Sequence, residues 1–229
     1  MTQHNDSAAM QFEPLTRGQF AALRIGQVAP NFTARATTGP FSLSDYRGQW
    51  VLLFSHPADF TPVCTSEFLA FARAQDEFSA RDCALVALSV DSLFSHLAWV
   101  RAIRDNFGVA IRFPIIEDPT LEIGKAFGML GHNDADASAI RATYIIDPEG
   151  VVRFMCCYPT NVGRSVEELL RALDALQRAD RSAAAGEFAL IPEGWRPGQD
   201  LLKQPDADLA QIFATDGAVD WFYRLVKDA

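Results

Sequence analysis

The chain reads WVLLFSHPADFTPVCTSEFLAFARAQDEFSA from residue 50 to residue 80. Residues 50–55 form a continuous apolar run, which is typical of a short strand covered on both faces. From about residue 65 to residue 80, apolar residues recur at helical spacing among charged ones. We therefore predict a strand, a loop that begins at His56, and a helix, with Cys64 at the junction of loop and helix.

Cys64 has the placement of a reactive thiol. The first turn of a helix carries backbone N–H groups without intrahelical partners and the positive end of the helix dipole, and both favour a thiolate over a thiol. The thiolate is the nucleophilic form of cysteine. Many cysteines at such positions are buried and inert, so placement alone does not separate the two interpretations.

The rest of the chain continues to alternate between strands and helices. The turn signal Asp147-Pro148-Glu149-Gly150 separates two apolar segments and predicts a β-hairpin. We predict further strands at residues 84–90, 113–116, 142–146 and 151–157, and further helices that end near residue 107, lie between residues 119 and 128, and span residues 166–179. Two strand–helix steps followed by a hairpin and a helix predict an α/β domain with a mixed sheet.

Composition divides the chain into three parts. Residues 1–23 lack a strong periodicity and are predicted to form an N-terminal extension. Residues 24–180 form the predicted α/β domain. Residues 181–229 begin with alanine, glycine and proline and then regain aromatic residues at Trp221-Phe222-Tyr223. Because an exposed arm with these side chains is costly in water, we predict that this C-terminal extension packs on another subunit.

Net charge and hydropathy argue against several classes of function. The chain has 20 Lys and Arg against 29 Asp and Glu, a formal net charge of -9. This charge argues against binding to nucleic acid or to an anionic membrane. No apolar run reaches the roughly 18 to 20 residues that cross a bilayer, and the N-terminal residues lack a signal-peptide pattern. We predict a cytoplasmic protein that acts on a small substrate.

The 4 cysteines and 4 histidines form no metal or disulfide pattern in the sequence. Cys64, Cys83, Cys156 and Cys157 contain no CxxC arrangement, so structural disulfides are not expected. The histidines at positions 4, 56, 96 and 132 are scattered, and none pairs with a cysteine at the spacing of a zinc site. We predict no metal.

A longer motif surrounds Cys64. The pattern Pro57-x-x-x-Thr61-x-x-Cys64, within SHPADFTPVCTSE, resembles the signature of the peroxiredoxins, and of the peroxiredoxin 6 or one-cysteine subgroup in particular. The resemblance extends over residues 24–180 and includes archaeal and bacterial thioredoxin-peroxidase-like members. Beyond the motif, it is carried by ALSVDS at 87–92, SHLAW at 95–99, FPIIEDP at 113–119 and the segment from Tyr158 to Arg164. This resemblance implies a thioredoxin-like fold, with a mixed central sheet flanked by helices and a C-terminal arm.

The resemblance also implies a reaction. The Cys64 thiolate would attack hydrogen peroxide or an alkyl hydroperoxide, form a cysteine sulfenic acid and release water or an alcohol. In the family pattern, Thr61 orients peroxide and thiolate through its hydroxyl, Arg141 stabilises their negative charge, and Pro57 shields the sulfur from water. Val63, inside the motif, is assigned to the substrate-contacting residues.

Three further residues match supporting positions of the family. Glu67 and Arg164 match positions that brace Arg141 through ion pairs. His56 matches a histidine near the thiol, as a proton donor or a hydrogen-bond partner. Each of three residues also has an ordinary structural interpretation. Glu67 could be a first-turn acid favoured by the helix dipole. Arg141 could be a surface strand residue, and His56 a polar residue at a strand end.

One departure from the family concerns the regeneration of Cys64. Archaeal relatives of the subgroup carry C-terminal cysteines around an Asp-Trp-Trp-Phe element, whereas residues 219–224 here read VDWFYR. We therefore predict a one-cysteine mechanism in which a thioredoxin-like protein or a low-molecular-weight thiol reduces the sulfenic acid, with no prosthetic cofactor. Cys83, Cys156 and Cys157 are predicted to be core residues, and a resolving role for one of them stays open.

Two other functional classes are compatible with a reactive Cys64. Its oxidation could serve a non-enzymatic peroxide sensor or an oligomeric holdase chaperone instead of catalysis. A thiol–disulfide oxidoreductase on the same fold is disfavoured because the chain has no CxxC. Relatives form homodimers and rings of ten, and the resemblance therefore implies a homodimer or a decamer.

Overall fold

The structure, a computed structural model, describes residues 23–129, 140–186, 188–205, 208 and 222–228. Within these ranges the strands are β1 (Thr33–Ala36), β2 (Gly39–Ser42), β3 (Trp50–Ser55), β4 (Cys83–Ser89), β5 (Ile115–Glu117), β6 (Arg141–Ile146), β7 (Val152–Tyr158), β8 (Leu201–Leu202) and β9 (Leu225–Val226). The helices are α1 (Pro62–Ser79), α2 (Leu93–Phe107), α3 (Glu122–Phe127) and α4 (Val166–Ala184), and a short 3-10 helix spans Leu43–Tyr46. The predicted N-terminal extension lies outside the described residues, except for Leu23.

The main sheet is mixed and has the strand order β2-β1-β5-β4-β3-β6-β7. β4 runs parallel to both β3 and β5, whereas β6 runs antiparallel to both β3 and β7. This arrangement confirms the predicted α/β domain with a mixed sheet and a hairpin at residues 147–150. β3 lies between β4 and β6, so the loop that follows β3 starts from the middle of the sheet.

Both faces of β3 are covered, which explains its continuous apolar sequence. Leu52 and Phe54 belong to a core cluster that includes Phe71 of α1. Val51 and Leu53, which alternate with them along the strand, belong to a second cluster on the opposite face. All residues of β3 are buried. A strand covered in this way has no solvent-facing side and therefore no polar alternation.

α1 begins earlier than the sequence pattern predicts. Its first residue is Pro62, and its N-cap is Thr61, which has an extended backbone (φ -92°, ψ 149°). Proline is favoured at this position because its missing N–H would have no intrahelical partner. Cys64 is the third residue of the helix and so lies inside its first turn.

α4 is longer than predicted. The sequence analysis ends this helix at residue 179 and begins the C-terminal extension at residue 181, but the helix continues to Ala184. Alanine and arginine in this stretch are good helix formers. Ser182 is buried and accepts a hydrogen bond from Arg178 one turn earlier. The predicted boundary therefore falls within a continuous helix.

Gly108 ends α2 in the left-handed backbone region, with φ +66°. Its N–H donates to the carbonyl of Arg104 at 2.9 Å, a common helix C-terminus. No described atom lies within 4 Å of a Cβ added at this position, so backbone strain alone opposes a side chain. We expect Gly108→Ala to lower the free energy of unfolding by about 1 kcal/mol, as measured by urea denaturation. Gly108→Asn should lose less, because asparagine tolerates this conformation. Equal stability of the alanine variant and the wild type would contradict the assignment.

The C-terminal extension is described only in part, and Trp221 lies outside the described residues. β8 and β9 pair in a small antiparallel sheet, and Asp228 forms an ion pair with Arg178 of α4 at 2.6 Å. Phe222 and Tyr223 are 59% and 52% exposed in the single chain. Packing of these rings on another subunit stays a prediction. In the described part of the chain, no helix is long and apolar enough to cross a membrane.

Candidate active site

The loop between β3 and α1 carries Cys64 into the interior of the domain. Phe60 has a left-handed backbone conformation (φ +58°), which is unusual for an aromatic residue and turns the chain into α1. Cys64 follows in the first turn, and its side chain is 0% exposed. The thiol therefore lies at the positive end of a helix of 18 residues.

Arg141 places a cation beside this thiol. Its Nη1 lies 3.4 Å from Cys64 Sγ. Its Nε and Nη2 both donate to the carbonyl oxygen of Thr160, at 2.9 and 2.8 Å. Arg141 is 2% exposed, so its charge is poorly screened by water. The structure thus brings together two residues that the sequence analysis assigns to the site, and it places a permanent cation in contact with the sulfur.

Glu67 holds this arginine in place. Its Oε2 accepts from Arg141 Nη1 at 2.6 Å and from Arg164 Nη2 at 2.8 Å. Its Oε1 accepts from both the backbone N–H and the Nε of Arg164, at 2.7 and 2.8 Å. Burial alone would raise the pKa of Glu67, but the hydrogen bonds and charge of Arg164, together with Arg141, outweigh burial and hold the pKa below its usual range. Glu67 is therefore ionised and bridges two buried cations.

Arg164 has a partner for each part of its guanidinium. Beyond Glu67, its Nη1 donates to the carbonyl of Ala142 at 3.0 Å and to Thr143 Oγ1 at 3.1 Å. Its guanidinium carbon lies 5.1 Å from the centre of the Phe54 ring, within cation–π distance. These contacts tie α1, β3, β6 and the start of α4 together around Cys64.

The hydroxyl of Thr61 is already engaged. It donates to the carbonyl of Ala58 at 2.9 Å. A hydroxyl has one hydrogen, so in this arrangement Thr61 Oγ1 can only accept from a peroxide, and donation to the Cys64 thiolate requires rotation of the side chain. The orienting role of Thr61 stays a prediction.

His56 lies in a buried cluster with two residues that the sequence analysis did not single out. Asp59 Oδ1 accepts from His56 Nε2 at 2.9 Å, and Asp59 Oδ2 accepts from His96 Nδ1 at 2.8 Å. The His56 ring packs against Phe68 and Trp99, with centroid distances of 4.8 and 5.4 Å. The only sequence feature that draws attention to His96 is its position in the SHLAW segment, which contributes to the resemblance.

The same cluster is the one group among the described residues with the composition of a metal site. Ligand atoms of His56, Asp59 and His96 lie within 4.8 Å of one another. The prediction of no metal relied on scattered histidines, and the fold brings two of them together. The facing nitrogens are both used in hydrogen bonds to Asp59, which suits protonated ring nitrogens better than a cation.

Comparison with known proteins places this geometry in a family. The AhpC/TSA family model matches residues 25–155, more than half of the chain. The chain belongs to this family, the peroxiredoxins. It is 42% identical over 207 residues to a peroxiredoxin of Thermoplasma volcanium, covering 89% of this chain and 98% of the relative. It is 48% identical over 171 residues to a peroxiredoxin of Aquifex aeolicus, covering 74% and 77%. Peroxiredoxins are thiol peroxidases, and the predicted enzyme class is confirmed.

Solved peroxiredoxin structures share the fold. A yeast mitochondrial 1-Cys peroxiredoxin aligns with a TM-score of 0.77 and 36% identity, covering 90% of this chain and 100% of the other. The peroxiredoxin 6 of Arenicola marina aligns with a TM-score of 0.73 and 32% identity, covering 83% and 88%. A 2-Cys peroxiredoxin of Plasmodium vivax aligns with a TM-score of 0.72 and 33% identity, covering 83% and 98%. The predicted thioredoxin-like fold is confirmed, and both one-cysteine and two-cysteine enzymes have this architecture.

The other cysteines of this peroxiredoxin lie in surroundings that disfavour a thiolate. Burial raises the pKa of Cys83 to about 12. Burial also raises the pKa of Cys156 and that of Cys157. Cys83 is buried, Cys156 is half-buried and packs against the core, and Cys157 is exposed, so the prediction of burial is correct for Cys83, correct in part for Cys156 and wrong for Cys157. All four cysteines, including Cys64, are free thiols.

Two predicted substrate-contacting residues precede the thiol along the chain. Pro57 and Val63 are both half-buried. An apolar cavity of about 510 Å³ opens on the other side of the first turn of α1, lined there by Pro62, Thr65 and Ser66 and opposite by Trp99. Cys64 and Arg141 are not among the residues that line this cavity.

Proposed function

We propose that this peroxiredoxin reduces hydrogen peroxide and organic hydroperoxides through a sulfenic acid at Cys64. The observation that carries the proposal is the buried Cys64 thiol in the first turn of α1 with Arg141 Nη1 at 3.4 Å. A helix N-terminus and a guanidinium both stabilise negative charge placed beside them, and the thiolate is the nucleophilic form of cysteine. The inclusion of organic hydroperoxides is supported by the resemblance of the motif around Cys64 to the family's pattern.

The chemistry follows from these charges. The thiolate attacks the terminal oxygen of the peroxide, so a sulfur–oxygen bond forms as the oxygen–oxygen bond breaks. The electron pair leaves with hydroxide or alkoxide, which takes up a proton and departs as water or alcohol. Sulfur is oxidised to sulfenic acid and the peroxide is reduced. Arg141 stabilises negative charge on sulfur and on the leaving oxygen, because it is held in place before the reaction begins.

We propose further that Cys64 is regenerated by an external thiol. Cys156 lies opposite Thr143 in the β6–β7 pair, and Arg164 binds the hydroxyl of Thr143. Cys157 is exposed, and its side chain lies on the other face of the sheet. A one-cysteine cycle has a parallel in the yeast relative, whose thiol resolving mechanism runs through the glutathione and thioredoxin systems. A thioredoxin-like protein or a low-molecular-weight thiol would fill that role here.

One equivalent of hydrogen peroxide tests this proposal. Peptide mass spectrometry of the treated protein, with a sulfenic-acid trap such as dimedone, should find the label on Cys64 and on no other cysteine. Non-reducing gels of the same samples should show no disulfide that involves Cys64. Cys156→Ser and Cys157→Ser are the matched variants: a wild-type disulfide that disappears in either of them would reject the one-cysteine cycle.

A homodimer is part of the proposal. In the described sheet, β7 is the last strand; residues 26–29 hydrogen-bond to the chain at residues 150–152, and the rest of its outer edge has no partner strand among the described residues. Phe222 and Tyr223 are more than half exposed. An unpaired edge and exposed aromatic rings are both features that a second subunit would cover.

A further inference from the structure

We infer that His96 of α2 and Asp91 in the turn before α2 are positioning residues for the reaction with peroxide. His96 binds the side chain of Asp59, and Asp91 binds its backbone N–H. Asp59, held from two sides, fixes the loop that presents Thr61 and Cys64. Neither His96 nor Asp91 belongs to the site as the sequence predicts it. This inference rests on the proposed peroxidase function and extends the site to α2.

The loop has a strained backbone at Phe60. Its φ of +58° lies in the left-handed region, which disfavours a residue with a Cβ. Phe60 is 58% exposed, so incomplete burial of the ring cannot by itself hold the backbone there. A conformation of this kind persists where the surrounding structure restrains it. The bonds made by the residues on either side of Phe60 therefore determine the path of the loop.

Asp59 carries the restraint that precedes Phe60. Its N–H donates to Asp91 Oδ2 at 2.9 Å, and its own Oδ2 accepts from His96 Nδ1 at 2.8 Å. Asp91 Oδ2 also accepts from Ser89 Oγ at 3.0 Å, at the end of β4. Burial alone would raise the pKa of Asp59, but hydrogen bonds from the two imidazoles that face it outweigh burial and hold the pKa far below the usual range. The ionised carboxylate makes a charge-assisted bond to His96, and Asp59 is thereby tied to β4 and α2 at once.

The residue after Phe60 connects this restraint to the thiol. Thr61 Oγ1 donates to the carbonyl of Ala58 at 2.9 Å, which closes the turn around Phe60. The carbonyl of Thr61 accepts from the N–H and the hydroxyl of Thr65, at 2.9 and 2.8 Å. Cys64 lies in the same first turn of α1. A change in the backbone at Phe60 would therefore shift the hydroxyl that is predicted to orient the peroxide, relative to the sulfur.

The burial of His96 disfavours the folded state in a way that its bond to Asp59 explains. His96 is 0% exposed, and its Nε2 has no hydrogen-bond partner in the described part of the structure. A polar atom that is buried and unpaired is costly, and an apolar side chain at this position would carry no such atom. Nδ1 donates to Asp59 and is the part of the ring that accounts for an imidazole here. The function of His96 is therefore found at Nδ1, which holds the loop.

The test compares two reactions of Cys64 in the reduced protein. Alkylation by iodoacetamide needs an accessible thiolate but no orientation of an oxygen–oxygen bond. Oxidation by hydrogen peroxide needs both. A loss of thiolate lowers both rate constants, whereas a loss of orientation lowers only the rate constant for peroxide. Each rate constant is measured at neutral pH by rapid mixing, acid quench and peptide mass spectrometry.

His96→Leu and Asp91→Ala remove the two bonds to Asp59 one at a time. We expect the rate constant for peroxide to fall about 10-fold to 10²-fold in each variant, while the rate constant for alkylation stays within about twofold of wild type. His96→Asn is the conservative variant, because its amide nitrogen takes the place of Nδ1 and can donate to Asp59. It should restore the rate constant for peroxide to within about threefold of wild type.

Ser92→Ala is the matched control on the same helix. Ser92 is the N-cap of α2, and its Oγ accepts from the N–H of Ser95 at 3.3 Å. Alanine removes this cap and leaves the bonds of Asp59 in place, so both rate constants should match wild type.

The positioning role is refuted if peroxide oxidation is unchanged in His96→Leu or Asp91→Ala, or if it is equally slow in His96→Asn or Ser92→Ala. It is also refuted if alkylation slows together with oxidation or becomes faster, which would indicate a loss of thiolate or an opened α1. If His96→Leu does not fold, Asp91→Ala decides the matter, because Asp91 is only half-buried.

Failure of the proposed function has a different signature. In that case wild-type Cys64 would react with iodoacetamide but not with hydrogen peroxide, whatever the variants do. A crystal structure of His96→Leu tests the positioning without any reaction, and Phe60 should leave the left-handed region in it. If Phe60 keeps a φ near +58° without this bond, His96 does not hold the loop, even in an enzyme that reduces peroxide.

Discussion

Cys64→Ser is expected to lower peroxide consumption by about 10³-fold or more, because it removes the nucleophile. A serine hydroxyl in this place would not ionise, even with Arg141 Nη1 within 3.4 Å of the side chain it replaces. The fold should be preserved, since serine is nearly the same size and the site already holds polar groups. The measurement is consumption of hydrogen peroxide in the presence of dithiothreitol, with circular dichroism to check folding.

Cys157→Ser is the matched control for this variant. Cys157 is exposed and its pKa is raised by burial of part of the side chain, so it should contribute little to turnover. We expect its activity to stay within about twofold of wild type, as is usual for a surface substitution away from a site. Turnover that is retained in Cys64→Ser, or lost in Cys157→Ser, would show that Cys64 is not the cysteine that carries the reaction.

Local features of the site could be predicted from the sequence. The apolar run of β3 and the helical spacing after Cys64 place the thiol at a strand-to-helix junction, and the structure has it there. These signals are short-range, because a strand covered on both faces and an amphipathic helix each leave a periodic pattern. The sequence pattern places the start of α1 too far along the chain, because Pro62 is interpreted as a loop residue unless it is recognised as a first-turn proline.

Long-range contacts could not be predicted in the same way. Glu67 lies 74 residues from Arg141 and 97 from Arg164, and nothing in the spacing indicates that one carboxylate binds both. The family resemblance named these residues without their geometry. Asp59 and His96 are 37 residues apart, and their cluster forms only because the loop after β3 packs on α2. Such contacts depend on how the elements pack, which periodicity does not encode.

Glu67→Gln is expected to destabilise the protein by about 3 to 5 kcal/mol, because it leaves two buried guanidinium groups without their anion. The Glu67 side chain is 1% exposed, and its partners Arg141 and Arg164 are 2% and 0% exposed. The amide offers one oxygen and directs an NH2 group at a cation. Urea denaturation at neutral pH measures the loss. Oxidation of Cys64 should slow as well, because Arg141 loses the contact that holds it beside the sulfur.

Glu168→Gln provides the comparison that separates a buried ion pair from an exposed one. Glu168 also binds an arginine through both oxygens, at 2.7 and 2.8 Å, but its side chain is 49% exposed. Its loss should cost no more than about 1 kcal/mol. Equal effects of the two substitutions would show that Glu67 does not hold the site together.

The pH dependence gives the Glu67 prediction its sharpest form. The pKa of Glu67 is lower in the folded protein than its ordinary value of 4.5, so the unfolded chain binds the proton more tightly. The stabilisation by Glu67 is therefore fully present above that ordinary value and is lost as the pH falls through the lower, folded-state pKa. Glutamine cannot titrate. The stability difference between wild type and Glu67→Gln should be constant near neutrality and should shrink in acid. A difference that persists unchanged into acid would mean that the shape of Glu67, and not its charge, makes it essential to the arginine pair.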